Sequence, residues 1–144
     1  MSNTQLAIAT IPMQEWGPLY EESEALRNGT IFKDLDMPFF AAVDVPHRDC
    51  DTPKSEEQKE REALLMRIMK TSFVLDDLIL YLDTHAEDVD ALALFREKGA
   101  ERAELKKEYA QKFYALTRDC LVDVPDAHVF AWEKGPMPWE GGCI

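Results

Sequence analysis

Phe73–Asp88 reads FVLDDLILYLDTHAED, and its reading decides the fold. The first part, Phe73–Leu82, is an apolar run with helical spacing. The second part, Asp83–Asp88, is short and polar and leads straight into another helical pattern. That sequence of events is the corner of a helical hairpin.

Upstream of the corner, Leu65, Ile68, Leu75, Ile79 and Leu82 recur at spacings of three and four, with Ser72 at the missing step. The pattern is a heptad-like seam and predicts a helix over Glu56–Leu82. Ser55 stands where an N-cap belongs. A buried Ser72 needs a hydrogen-bond partner, and the expected one is a backbone carbonyl one turn back. Near the corner the stripe widens, because Leu78–Leu82 is apolar around almost the whole circumference. One partner helix covers only part of that surface. Leu78, Leu80, Tyr81 and Phe73 therefore call for further cover, from the N-terminal segment, a second copy or a different protein.

Thr84 and Glu87 fit the capping-box spacing, and Asp88 adds favourable charge near the positive end of the next helix. His85 reads as a polar turn residue. The second helix is expected over about 85–116, with Val89, Leu92, Phe95, Gly99, Ala103, Tyr109 or Ala110, Phe113 and Leu116 turned inward. The small residues Gly99, Ala100 and Ala103 suggest close helix–helix approach, which would offset the helix cost of a mid-helix glycine. Arg96, Lys98, Glu101, Glu104, Lys107 and Glu108 form a charged, solvated face. The fold class is thus all-α: a long antiparallel hairpin over 57–118, flanked by irregular segments rich in proline and aromatics.

Residues 1–43 lack a long period. Their one short helix is expected at 21–27, EESEALR, stopped by Asn28-Gly29. Two turns of helix are unstable alone, so this segment is expected to order by laying Trp16, Leu19, Phe32 and Phe39 on another surface. Residues 44–56 form a linker broken by Pro46 and Pro53. Residues 119–144 form an irregular tail in which Trp132 and Trp139 flank Gly135-Pro136-Met137-Pro138. Those indoles either anchor a partner or fold back on the hairpin.

The chain has 144 residues and a net charge of −12. An acidic protein with no basic face repels phosphate backbones and anionic bilayers, so nucleic acid and membrane surfaces are disfavoured ligands. No secretory signal and no membrane span is read, and synthesis in a cytoplasm is expected. Three cysteines, Cys50, Cys120 and Cys143, show no metal-ligand spacing. They read as free thiols, with Cys143 the alternative candidate for an intermolecular disulfide. The chain contains no Walker loop, GxGxxG, HExxH or CxxC. No nucleophile–base pair stands out, and no catalytic residue or cofactor is assigned. A minor alternative gathers Asp76, Asp77, Asp83 and His85 on a metal or small ligand.

FVLDDLILYLDTHAEDVDALALF resembles the hairpin of the CotJB spore-coat family, which reads as an apolar helix, Leu-Asp-Thr-His-Pro, an acid, and an alanine-bearing helix ending in Phe. Leu82, Asp83, Thr84, His85, Asp88, Ala91 and Phe95 match, and Ala86 stands where the family has proline. Pro138-Trp139 fits a Pro-Trp typical near the C-terminus. The resemblance covers about 57–139. The N-terminal part resembles the CotJA family over about 5–43, through Ile11-Pro12-Met13-Gln14-Glu15-Trp16, Leu19-Tyr20, Glu24-Ala25-Leu26-Arg27-Asn28-Gly29-Thr30-Ile31-Phe32 and Leu35-Asp36-Met37-Pro38-Phe39. The chain looks like a fusion of the two.

The double resemblance implies a non-enzymatic structural component of the bacterial endospore coat, made in the mother-cell cytoplasm. It also implies binding to other coat proteins, including a manganese catalase-like companion. Partner contacts are then expected at Trp16, Phe32, Phe39, Leu78, Leu80, Tyr81, Trp132 and Trp139. A self-associating homo-oligomeric scaffold is the competing expectation.

Overall fold

A computed structural model describes residues 13–37, 54–125, 128 and 130–135. Phe39, Cys50, Trp139 and Cys143 lie outside the described residues. The described part is mostly helical, with α1 at Glu22–Asn28, α2 at Glu56–Leu82 and α3 at Val89–Lys112.

The start of α2 is written in its sequence. The Ser55 hydroxyl accepts the amide of Gln58 at 3.2 Å, and the Gln58 side chain accepts the Ser55 amide at 2.8 Å. This reciprocal pair satisfies two of the amides that a helix start leaves unbonded. Glu56 and Glu57 add favourable charge in the first turn.

The corner differs from the expected capping box. Thr84 Oγ1 donates to the Tyr81 carbonyl at 3.1 Å, and the amides of Thr84 and His85 bond the same carbonyl. Thr84 therefore finishes α2 instead of starting α3. Asp88 takes the cap, accepting the amides of Asp90 at 3.1 Å and Ala91 at 3.0 Å. Thr84 and Glu87 sit too early in the turn for that role, so α3 starts at Val89 instead of His85. It ends at Lys112, before the expected Leu116.

The two long helices run antiparallel, with contact positions rising on α2 as they fall on α3. Lys112 bonds Glu60 at 2.8 Å, Arg102 bonds Ser72 at 2.7 Å, and Ala91 packs with Tyr81. Between these polar ties Leu64 and Ile68 pack with Leu105 and Tyr109. The buried stripe of α2 is Leu64, Ile68, Thr71, Val74, Leu75, Leu78 and Tyr81. It shares Ile68 and Leu75 with the expected seam. Ile79 instead faces outward at 46% exposure. One residue turns a helix face by about 100°, so a seam displaced by one position is a different face.

Two further expectations fail on α3. Val89 is 75% exposed, and Ala103 is exposed as well. A Cβ built on Gly99 would meet nothing within 4 Å, so that glycine is not a point of close helix approach. Tyr109 and Ala110 are both buried, whereas the sequence offers them as alternatives. Ser72 finds its partner across the hairpin in Arg102, and the back-bond within α2 belongs to its neighbour Thr71, which donates to the Arg67 carbonyl at 3.1 Å.

Beyond α3, a 3-10 turn at Arg118–Asp123 lays Cys120 beside Ala110 and Ala115. A second 3-10 turn covers Ala131–Lys134. Gly135 lies so close to Tyr114 that an added Cβ would stand 3.1 Å from the ring.

Candidate functional site

The feature with the most built chemistry is the closed end of the hairpin, where residues 13–37 clasp α2 and α3. The segment first organises itself. Leu19 and Phe32 form an isolated antiparallel bridge, with the Tyr20 amide on the Ile31 carbonyl at 2.8 Å. Helix α1 fills the loop between them. Gly29, at φ 86°, ends it in a left-handed conformation that favours glycine. The Tyr20 hydroxyl donates to Asp36 at 2.8 Å, and Asn28 donates to the same carboxylate at 3.3 Å.

The ordered segment then meets the hairpin through an aromatic cluster. Trp16 stands edge-on to Phe32 at 5.9 Å between ring centres; Trp16 and Phe32 reach Tyr81 at 5.4 and 5.2 Å. His85 also stacks on Tyr81, at 4.3 Å and nearly parallel. Offset and edge-on arrangements suit the ring quadrupoles and add to area burial. Beneath the rings lie Leu78, Val74, Ala25, Ile31 and Ala91.

Polar bonds fix the docking register. Asp77 accepts the Ile31 amide at 2.7 Å and the Thr30 hydroxyl at 3.0 Å. The same hydroxyl accepts the Phe32 amide at 3.1 Å. One carboxylate thereby satisfies a loop that no sheet or helix serves. Lys98 on α3 pairs with Glu22 of α1 and with Glu101 at 3.0 Å. Burial opposes the Lys98 charge, but its carboxylate partners outweigh burial and hold its pKa above the ordinary value. Lys70 donates to Ser23 at 2.8 Å.

Tyr81 joins the interface to the corner. Its hydroxyl donates to Asp88 at 2.8 Å. Burial, then that bond, pushes the phenol up to about 12. The Ala91 amide, against the opposing effect of burial and with help from the Tyr81 hydroxyl, holds the Asp88 carboxyl below its usual value. The helix cap and the aromatic cluster thus share one carboxylate.

This arrangement revises the expected partner surface. Trp16, Phe32, Leu78 and Tyr81 are brought together, but inside the molecule, against one another. Of the three covers that the sequence leaves open for Leu78 and Tyr81, the chain's own N-terminal segment is the one found. Leu80 is the residue of that group left outside, at 68% exposure beside outward-facing Ile79. Trp132, at 48% exposure, belongs to the tail at the opposite end of the hairpin. The carboxylates invoked for a ligand do not converge, since Asp77 is bonded to the segment while Asp76 and Asp83 are exposed. Among the described residues no group of three or more His, Cys, Asp or Glu is placed to hold a metal.

Sequence reasoning missed Asp77, Thr30, Glu22 and Lys98 as interface residues. A signal existed for Asp77. It lies between Val74 and Tyr81, on a helical face that turns out to be buried. A carboxylate there requires donors.

Fold and interface define a two-part helical protein, a hairpin and a short aromatic segment clasped over its closed end. Residues 62–140, more than half of the chain, match the family model of the CotJB protein, and the chain belongs to that family. Residues 5–39 match the family model of the spore coat associated protein JA (CotJA), so the chain combines both. These matches make it a spore-coat-associated protein. No curated protein and no solved structure gives a match. Among the described residues no helix is long and apolar enough to cross a membrane.

Proposed function

We propose that this chain is a non-enzymatic structural and assembly component of the bacterial endospore coat, made in the mother-cell cytoplasm. It takes its place by binding other coat proteins, a manganese catalase-like coat protein among them. The observation that carries this reading is the division of the Leu78–Leu82 run. Leu78 and Tyr81 are used up inside the molecule, whereas Ile79 and Leu80 point outward on α2. Large apolar side chains adjacent on a helix and in contact with water suit a protein contact better than a chemical site. The polar groups that the fold brings together support the non-enzymatic part. Asp77, Asp88 and Lys98 are each committed to amides, hydroxyls or carboxylates of the scaffold.

The test is co-expression with a manganese catalase-like coat protein, followed by affinity recovery. Leu80→Asp is expected to reduce recovery about tenfold, the size expected for a central apolar contact. Trp132→Ala probes the tail in the same assay. Recovery that neither substitution changes would exclude both surfaces. Light scattering on the purified chain separates partner binding from a homo-oligomer closed through the same leucine.

A further inference from the structure

We infer that residues 13–37 act as a separable ligand. The closed end of the hairpin is then a binding site for a segment of the form Trp-x-x-Leu-Tyr followed by Gly-Thr-Ile-Phe, and this site needs no covalent link to its occupant. The described bonds across the interface run from Trp16–Phe32 on one side to Lys70–Lys98 on the other. They include long-range hydrogen bonds between positions 46, 47 and 76 residues apart.

Three features give this contact the character of an interface between molecules. First, its centre is aromatic and apolar, formed by Trp16, Phe32, Tyr81 and Leu78, while Glu22–Lys98 and Ser23–Lys70 lie toward its rim. That is the anatomy of a protein–protein contact, with large anchors inside and charges outside. Second, the ligand side is ordered by its own bonds: the Leu19–Phe32 bridge, α1 and the Tyr20–Asp36 and Asn28–Asp36 pairs. Order within the segment lowers the entropy lost on docking. Third, the two sides fall in matches to two different family models, at residues 5–39 and 62–140. The boundary between the families therefore coincides with the boundary between ligand and site.

A separate polypeptide with the same spacing of residues should occupy the same groove. The occupant is recognised by Asp77, which reads a backbone amide and a hydroxyl held next to each other, and by Tyr81, which receives the two rings. This inference does not rest on the coat reading, and either can fail while the other stands.

The experiment places a protease site between residues 44 and 53 of the full chain, cleaves it, and follows the pieces by gel filtration and native mass spectrometry. The pieces are expected to remain together as one complex with the mass of the uncleaved chain plus the one water added by hydrolysis. In the cleaved protein, Asp77→Ala should weaken the association about tenfold or more. Lys98→Gln should weaken it at low salt and much less at high salt, because its ion pair is screened. Circular dichroism of the cleaved variants checks that the hairpin remains helical. Separation of the cleaved native pieces overturns the inference. So does an Asp77→Ala variant that remains helical and holds its pieces as tightly as the native protein does.

Discussion

The carboxylate of Asp77 accepts the backbone amide of Ile31 at 2.7 Å, joining the C-terminal part of α2 to the N-terminal segment. The same oxygen accepts the Thr30 hydroxyl at 3.0 Å. Replacing Asp77 with Ala leaves both donors without their partner. The expected cost is about 2 to 4 kcal/mol, since an unsatisfied buried donor costs about 1 to 3 kcal/mol. Asp77→Asn keeps one carbonyl acceptor and should cost less. Urea unfolding of the intact chain measures both.

Leu78 and Leu80 sit two positions apart and should respond oppositely. Leu78 is fully buried, and Leu78→Ala is expected to destabilise the protein by about 2 to 5 kcal/mol. Leu80 is largely exposed, so Leu80→Ala should change stability by no more than about 0.5 kcal/mol. Thermal or urea unfolding distinguishes them, and equal effects would contradict the observed face of α2.

Gly99→Ala should stabilise the chain by about 0.5 to 1 kcal/mol. Glycine inside a helix loses more backbone freedom on folding than alanine does. The new methyl group enters open space, because nothing lies within 4 Å of its position. A loss of stability would mean that α3 approaches a neighbour there.

The corner gives a paired test of capping. Asp88→Ala removes the acceptor of the Asp90 and Ala91 amides and should cost about 1 to 2 kcal/mol. It also frees the Tyr81 hydroxyl. Thr84→Ala should stay within about 0.5 kcal/mol, because its hydroxyl bonds a carbonyl at an exposed helix end. Chemical denaturation of the two variants decides between the two caps.

Tyr81 predicts behaviour in alkali. Its phenol is raised to about 12 in the folded chain, against about 10 for a free tyrosine. The folded state therefore holds this proton more tightly than the unfolded state does. The resulting stability is complete below about pH 10 and is lost as pH rises through about 12. Burial also raises the Tyr109 phenol, so absorbance titration should show more than one late-ionising tyrosine, and Tyr81→Phe should remove the one at about 12 while Tyr109 remains. Asp88 works in the opposite direction: its lowered carboxyl stabilises the fold above the ordinary carboxylate range and loses that effect as pH falls below about 4.

The sequence alone determined the elements whose causes are local. The Ser55 cap, the length of α2 through Leu82, the stop at Gly29 and the polar corner all depend on neighbours a few residues apart. Periodicity and turn chemistry record such causes directly. The match to two family models was also legible, because it rests on ordered residue patterns. Tertiary structure alone decided which face of α2 is buried, which residue caps α3 and what covers Tyr81. The seam read from Leu65, Ile79 and Leu82 followed heptad spacing, which placed the α3-facing stripe one position away from the buried one. In the fold, α2 packs against α3 and the N-terminal segment together, and the buried stripe runs through Leu64, Leu78 and Tyr81. The role of Asp77 depended on the arrival of Thr30 and Ile31 from far away in the chain. Nothing near Asp77 in sequence records their position, since a burial partner supplied by a distant segment exists only once the chain has folded.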